Sequence, residues 1–142
     1  MPDCLNRIPA GAELVFELSL PWQTPSNNQI KGMHYHQYRK LREQWREGVW
    51  AALNGKLPKK PLHSAFIEID RYCQGKGLDW DNAYGGLKIL LDCIVAPSKR
   101  NPDGLGLILD DSPVYLPEPP FVRQLPAPRG QGYTDCRIYR LS

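Results

Sequence analysis

Glu13-Leu14-Val15-Phe16-Glu17-Leu18-Ser19-Leu20, followed by Pro21, sets Leu14, Phe16, Leu18 and Leu20 on one side of the chain and Val15, Glu17 and Ser19 on the other. This is the two-residue period of a half-buried strand, and Pro21, which has no N–H to donate, ends its ladder. The period then changes. From about Tyr35 to Leu53, Tyr38, Leu41, Trp45, Val49 and Ala52 recur every three or four residues, the spacing of an amphipathic helix. A strand and a helix, each with one apolar side, must bury those sides against each other, so the N-terminal half already specifies a layer of helix on sheet.

The remaining chain continues the alternation. Trp22 to Gly32 carries Pro25, Ser26, Asn27 and Asn28 and is predicted to be a loop with exposed polar groups. Gly55 and the segment from Pro58 to Pro61 end the first helix. Ser64 to Tyr72 reads as a strand through Ala65, Phe66, Ile67 and Ile69. A second helix is predicted from about Asp81 or Asn82 to Val95, with Tyr84, Leu87, Leu91 and Ile94 as its buried stripe, or else with Gly85-Gly86 as a bend before it. Ser98 to Gly106 reads as a mobile basic loop, followed by a short strand near Val114, a proline-rich connection from Pro117 to Pro128 and a last strand over Cys136 to Leu141. The expectation is one α+β domain spanning residues 1–142, with helices packed on one face of a mixed or antiparallel sheet.

Composition narrows the classes. Of 142 residues, 42% are hydrophobic and 23% charged, which suits a chain that folds around a core and excludes a disordered polyelectrolyte. A net charge of +3 permits a nucleic-acid partner without requiring one, because acids gathered at one site leave the remaining surface more basic. Cys4, Cys73, Cys93 and Cys136 are widely spaced with no Cys-x-x-Cys pair, and reduced thiols in a cytoplasm are expected. His34-x-His36, with His63 remote, is too thin a set for zinc. No apolar run reaches the roughly 20 residues needed to span a bilayer, and no secretion signal is evident, so no membrane partner is expected.

Chemistry concentrates in Asp79-Trp80-Asp81-Asn82, Lys88 and Asp110-Asp111. If Asp79 and Asp81 lie in an extended segment, both point to one side and can meet one cation, while Trp80 points away toward the core. Magnesium suits such a pair, being a hard ion that takes carboxylate oxygens and completes its shell with water and phosphate. The plainer alternative is that these acids only open a helix. Lys88 follows Asp81 by seven residues, the same face of a continuous helix, with Asp92 four residues beyond as an ordinary surface partner. The outward Arg39, Lys40, Arg42 and Arg46 of the first helix, and Lys99 and Arg100 of the basic loop, read equally as solvated surface or as phosphate contacts.

In combination these residues resemble the RusA family of Holliday junction resolvases, found in bacteria, prophages and phages. Leu20-Pro21-Trp22-Gln23-Thr24-Pro25-Ser26-Asn27-Asn28 matches the loop that follows that family's first strand. Asp79, Asp81 and Asn82, then Lys88 with Asp92, then Asp110 and Asp111, follow its order of acids and lysine. The family's lysine follows the second acid by four residues, whereas Lys88 follows Asp81 by seven, as if Ala83 to Gly86 held an insertion. Where its best-known member has arginines before the acid pair, this chain has Gln74-Gly75-Lys76-Gly77-Leu78.

The resemblance implies a Mg²⁺-dependent endonuclease that resolves four-way junctions and related branched DNA, acting as a homodimer. It implies Asp79, Asp81 and Asp111 as metal ligands and catalytic residues, and Lys88 as the charge-stabilising residue. Asn27, Asn28, Lys76, Lys99 and Arg100 are the candidate DNA contacts, and Trp22 is expected to anchor its loop to the core. Two rival functions remain open at this level: a protein that binds branched DNA without cutting it, and a metal-dependent phosphohydrolase of small nucleotides.

Overall fold

Nearly every residue of Ala65–Cys73 is buried, including those that alternate to the polar side, so this segment occupies the interior of a sheet. A computed structural model, which describes residues 8–141, sets it as β2 in the order β1 (Glu13–Leu20), α1 (Asn27–Lys31), α2 (Tyr35–Ala52), β2, α3 (Trp80–Gly85), α4 (Lys88–Ile94), β3 (Phe121–Pro126), β4 (Tyr133–Arg140). The sheet runs β1-β4-β2-β3, with β4 antiparallel to both its neighbours and β3 parallel to β2. It is therefore a mixed sheet in a single α+β domain.

One face of the sheet carries Leu18, Leu20, Ile67, Ile69, Val122, Cys136 and Ile138, which pack in one cluster with Trp45 and Val49 of α2 and Leu87, Ile89, Leu90 and Ile94 from α4 and its start. Each such side chain contributes roughly 1.5–3 kcal/mol on full burial, so this face fixes the helices to the sheet. The other face is polar but not open. There Arg137 bridges Glu68 at 2.6 Å and Asp70 at 2.7 Å, while Arg123 adds a two-point contact to Asp70 at 2.7 and 2.8 Å. Burial alone would raise the Asp70 carboxyl, but hydrogen bonds and charge from Arg123 and Arg137 outweigh it and hold the group below its ordinary range.

Several sequence expectations need correction. The first strand carries a bulge between Leu14 and Phe16, so Leu14 turns outward and is 46% exposed. The predicted loop at Trp22 to Gly32 contains the short α1, because Ser26 caps it: its Oγ accepts from Gln29 N at 3.0 Å and its own N–H donates to Gln29 Oε1 at 2.8 Å. The second long helix is two helices, broken at Gly86 and Leu87, so of the two readings the bend at Gly85-Gly86 is the one that forms. No strand forms near Val114, which is 75% exposed in a turn. The proline-rich connection instead holds β3, an edge strand, where proline costs least.

The loop expected to be mobile over Ser98 to Gly106 is pinned at its far end. Leu105 N donates to Cys93 O, Leu107 N to Ile94 O, and Leu105, Leu107 and Ile108 are buried. Only its basic tip is exposed. Cys73, Cys93 and Cys136 are free and buried, and burial pushes the thiols of Cys93 and Cys136 up to about 12; Cys4 lies outside the described residues. Among the described residues, no helix is long and apolar enough to cross a membrane.

Candidate functional site

The turn chemistry of Pro25-Ser26-Asn27-Asn28 and that of Asp79-Trp80-Asp81-Asn82 meet at one place. Asn82 links them: its Oδ1 accepts from Asn28 N at 2.9 Å and its Nδ2 donates to Asp79 Oδ1 at 2.7 Å. Two glycines allow this close approach. A Cβ on Gly86 would collide with the Pro25 carbonyl oxygen, and one on Gly85 with the Asn27 side chain. The Ala83 to Gly86 stretch is thus where the first loop lies against the break between α3 and α4, which is why one continuous helix does not form.

This contact gives a stability prediction independent of activity. Gly86→Ala forces a side chain onto a backbone carbonyl that has no rotamer to change, and should cost about 1–3 kcal/mol as overpacking. Gly85→Ala meets a side chain and should cost less. Urea unfolding of both variants measures the difference; equal midpoints for Gly86→Ala and the unaltered chain would mean that the loop does not lie there.

The acids do not stand as an extended pair. Asp79 is the N-cap of α3 and Asp81 its second residue, so they do not share a side by strand alternation. Asp79 makes no capping bond to the helix backbone, however, and its carboxylate is turned instead to Asn82. Helix opening therefore accounts for its position but not for its partner. Asp79 and Asp81 are exposed and form no salt bridge with a described base. Trp80, expected in the core, is 56% exposed and its ring lies tilted beside that of Tyr84, itself 39% exposed and not part of a buried stripe. The reason is the same helix start: position N1 of α3 points outward rather than back into a sheet.

A second acidic group includes the partner of Lys88. Lys88 begins α4 and lies 3.4 Å from Asp92 Oδ2, which also accepts the Tyr38 hydroxyl of α2 at 2.7 Å. Partial desolvation first, then the charge of Asp110 and, more weakly, Asp92, raise the Asp111 carboxyl above its ordinary range. Asp92, Asp110 and Asp111 are thus electrostatic neighbours. Because α3 and α4 are separate, the same-face relation between Asp81 and Lys88 that a continuous helix would impose does not apply.

Among the described residues, no group of three His, Cys, Asp or Glu side chains is gathered as a metal cage, so Asp79, Asp81 and Asp111 are not brought into one cluster. The donor chemistry nevertheless suits a hard divalent ion. Such an ion needs only one or two carboxylates when water and phosphate supply the remaining ligands, and Asp79 and Asp81 are exposed without a neutralising base. Asn27 is half-buried with its side chain against Gly85, whereas Asn28, Lys76, Lys99 and Arg100 are exposed.

Sequence reasoning missed Arg71, Gln124 and Tyr38. Arg71 is 3% exposed and donates Nε to Thr24 O at 2.9 Å, tying the first loop to β2. Gln124 of β3 holds the other side, accepting from Leu78 N at 2.9 Å and donating to Leu78 O at 2.7 Å, immediately before Asp79. Arg71 had a signal: it shares the strand parity of Ile67 and Ile69, a guanidinium on the apolar face. Trp22, as expected, anchors its loop, packing 5.5 Å from Trp45 and against Gly48. Compared with models of known protein families and with curated proteins, the chain matches none.

Proposed function

We propose that this chain is a Mg²⁺-dependent endonuclease that cuts branched DNA, of the kind found in the RusA-like resolvases, working as a homodimer in the cytoplasm of a bacterial or phage-infected cell. The observation that carries this reading is the Asn28–Asn82–Asp79 chain of hydrogen bonds, together with Gly85 and Gly86 beneath Asn27 and Pro25. The first loop and the Asp79–Gly86 segment, two of the stretches on which the resemblance rests, are in direct contact, and this proximity supports the reading.

Phosphodiester hydrolysis requires an activated water, a neutralised phosphate and a stabilised leaving oxygen. Mg²⁺ bound by Asp79 and Asp81 would supply Lewis-acid stabilisation, and Asp111, in the separate acidic group, is the proposed ligand of a second ion. Asn82 fixes the Asp79 carboxylate by a direct hydrogen bond. Lys88, largely exposed at the start of α4, offers a cation to the charge that grows on phosphate oxygens. Lys76, Lys99 and Arg100, all exposed, neutralise flanking phosphates. Exposure of Asp79 and Asp81 favours a large substrate over a small nucleotide held in a closed pocket.

The test is incubation of the purified chain with a synthetic four-way junction and with the matching linear duplex, in Mg²⁺ and in chelator. Paired nicks in the junction that appear only with Mg²⁺ are expected. Tight junction binding without any nick identifies a non-cleaving binder instead, and neither binding nor cutting removes branched DNA as the substrate.

A further inference from the structure

Asp92 Oδ2 is shared. It accepts the Tyr38 hydroxyl at 2.7 Å and lies 3.4 Å from the Lys88 ammonium, and the two partners come from different helices. Tyr38 is half-buried, in the face of α2 that packs on α4. Asp92 is held from a second direction as well, since its main-chain carbonyl accepts from Asn101 Nδ2. The side chain of Asp92 is 19% exposed and that of Lys88 62%. A fixed, mostly covered carboxylate therefore faces a largely solvated cation.

We infer that Tyr38 is a positioning residue for Lys88, acting through Asp92. This inference rests on the nuclease reading for its consequence in catalysis, though not for its geometry.

The physical reason is competition for one oxygen. An exposed lysine–carboxylate pair is held weakly, because solvent screens it and two long side chains lose freedom in forming it. A hydroxyl donating to the same oxygen fixes the carboxylate rotamer, so the ammonium has one defined place to rest. The same donor uses part of the oxygen's accepting capacity, which keeps Lys88 from closing into a tighter contact and leaves its protons free for a phosphate. Arg42, 6.0 Å from the Tyr38 ring, packs beside it on the same helix. Tyr38→Phe retains the ring and its packing and removes only the hydroxyl.

The test is a double-mutant cycle with two readouts. Single-turnover cutting of a four-way junction in Mg²⁺ is measured for the unaltered chain, Tyr38→Phe, Lys88→Ala and the double variant. Junction affinity is measured in chelator. Tyr38→Phe is expected to slow cutting by about tenfold, the factor corresponding to about 1.4 kcal/mol, with unchanged affinity. In the Lys88→Ala background the same change is expected to have no further effect, since residues acting as one unit are not additive. Equal losses in both backgrounds would make Tyr38 merely structural and overturn the inference.

The second readout does not need activity. In protein carrying ¹³C-labelled lysine, the Lys88 ε-methylene protons should be magnetically inequivalent and should collapse toward the free-lysine position in Tyr38→Phe. If the unaltered chain cuts no junction, the nuclease reading fails, and this spectrum alone decides the Tyr38–Asp92–Lys88 arrangement. An unchanged Lys88 signal in Tyr38→Phe overturns it.

Discussion

Asp79→Asn, Asp81→Asn and Asp111→Asn should each leave junction binding intact or slightly tighter while slowing cleavage by about three orders of magnitude. Asparagine preserves the shape and one neutral acceptor oxygen but removes the charge that attracts Mg²⁺. Loss of roughly 4 kcal/mol of metal-assisted stabilisation corresponds to that factor, at 1.36 kcal/mol for each tenfold. Binding should survive because it rests on Lys and Arg neutralising phosphates, and removing an acid near DNA removes repulsion when metal is absent. Gel shifts in chelator paired with cleavage in Mg²⁺ separate the two effects. The three positions are not equivalent in the fold, so they are informative individually. Asp79 is fixed by Asn82, whereas Asp111 lies among Asp110 and Asp92. A variant that cuts at the unaltered rate excludes its residue from metal binding.

Arg137→Ala should destabilise the fold by about 3–5 kcal/mol, the range for removing one partner from buried ion pairs. Glu68 and Asp70 have side chains only 6% and 4% exposed, so neither regains full hydration when the guanidinium is lost. Arg123→Ala should cost less, because Arg123 is itself 31% exposed and Asp70 keeps Arg137. The network also gives a pH signature. The folded-state carboxyl of Asp70 is lowered, so its contribution is fully present above the unfolded value of about 3.9 and fades as pH falls through the lower folded value. Thermal melts from pH 7 down to pH 2 should therefore lose stability more steeply in the unaltered chain than in Asp70→Asn. Parallel curves would mean that the Arg–Asp contacts contribute no net stabilisation.

How much of this was legible in the sequence depends on the range of the interaction concerned. The alternation at Glu13 to Leu20 and the three-to-four spacing from Tyr35 place a strand and a helix correctly, because each pattern is a local matter of which side chains must leave water. The α+β class follows from the same patterns, which left the sheet mixed or antiparallel until the parallel β2–β3 pairing decided it, and the acids, Lys88 and the first loop stand out by residue type alone. Where neighbours far along the chain compete with local preference, sequence reading failed. Gly85 and Gly86 read either as a weak point in one helix or as a bend before it, and only the first loop, occupying the space their side chains would take, decides for the break. Trp80 belongs in a core by hydropathy, but the helix start at Asp79 carries it outward. Proline density concealed β3, because the prolines flank the strand or stand at its last residue, Pro126, and only pairing beside β2 reveals the strand between them. The sequence by itself determined which residues are apolar, which carry charge and where the chain must turn. Only the tertiary structure decided that Asn28 meets Asn82, that Tyr38 and Lys88 share one carboxylate oxygen, and that Arg71 closes the first loop onto β2. The physical reason is that a hydrogen bond between residues about 50 positions apart leaves no periodic trace: nothing in local spacing records it until packing brings the donor and acceptor together.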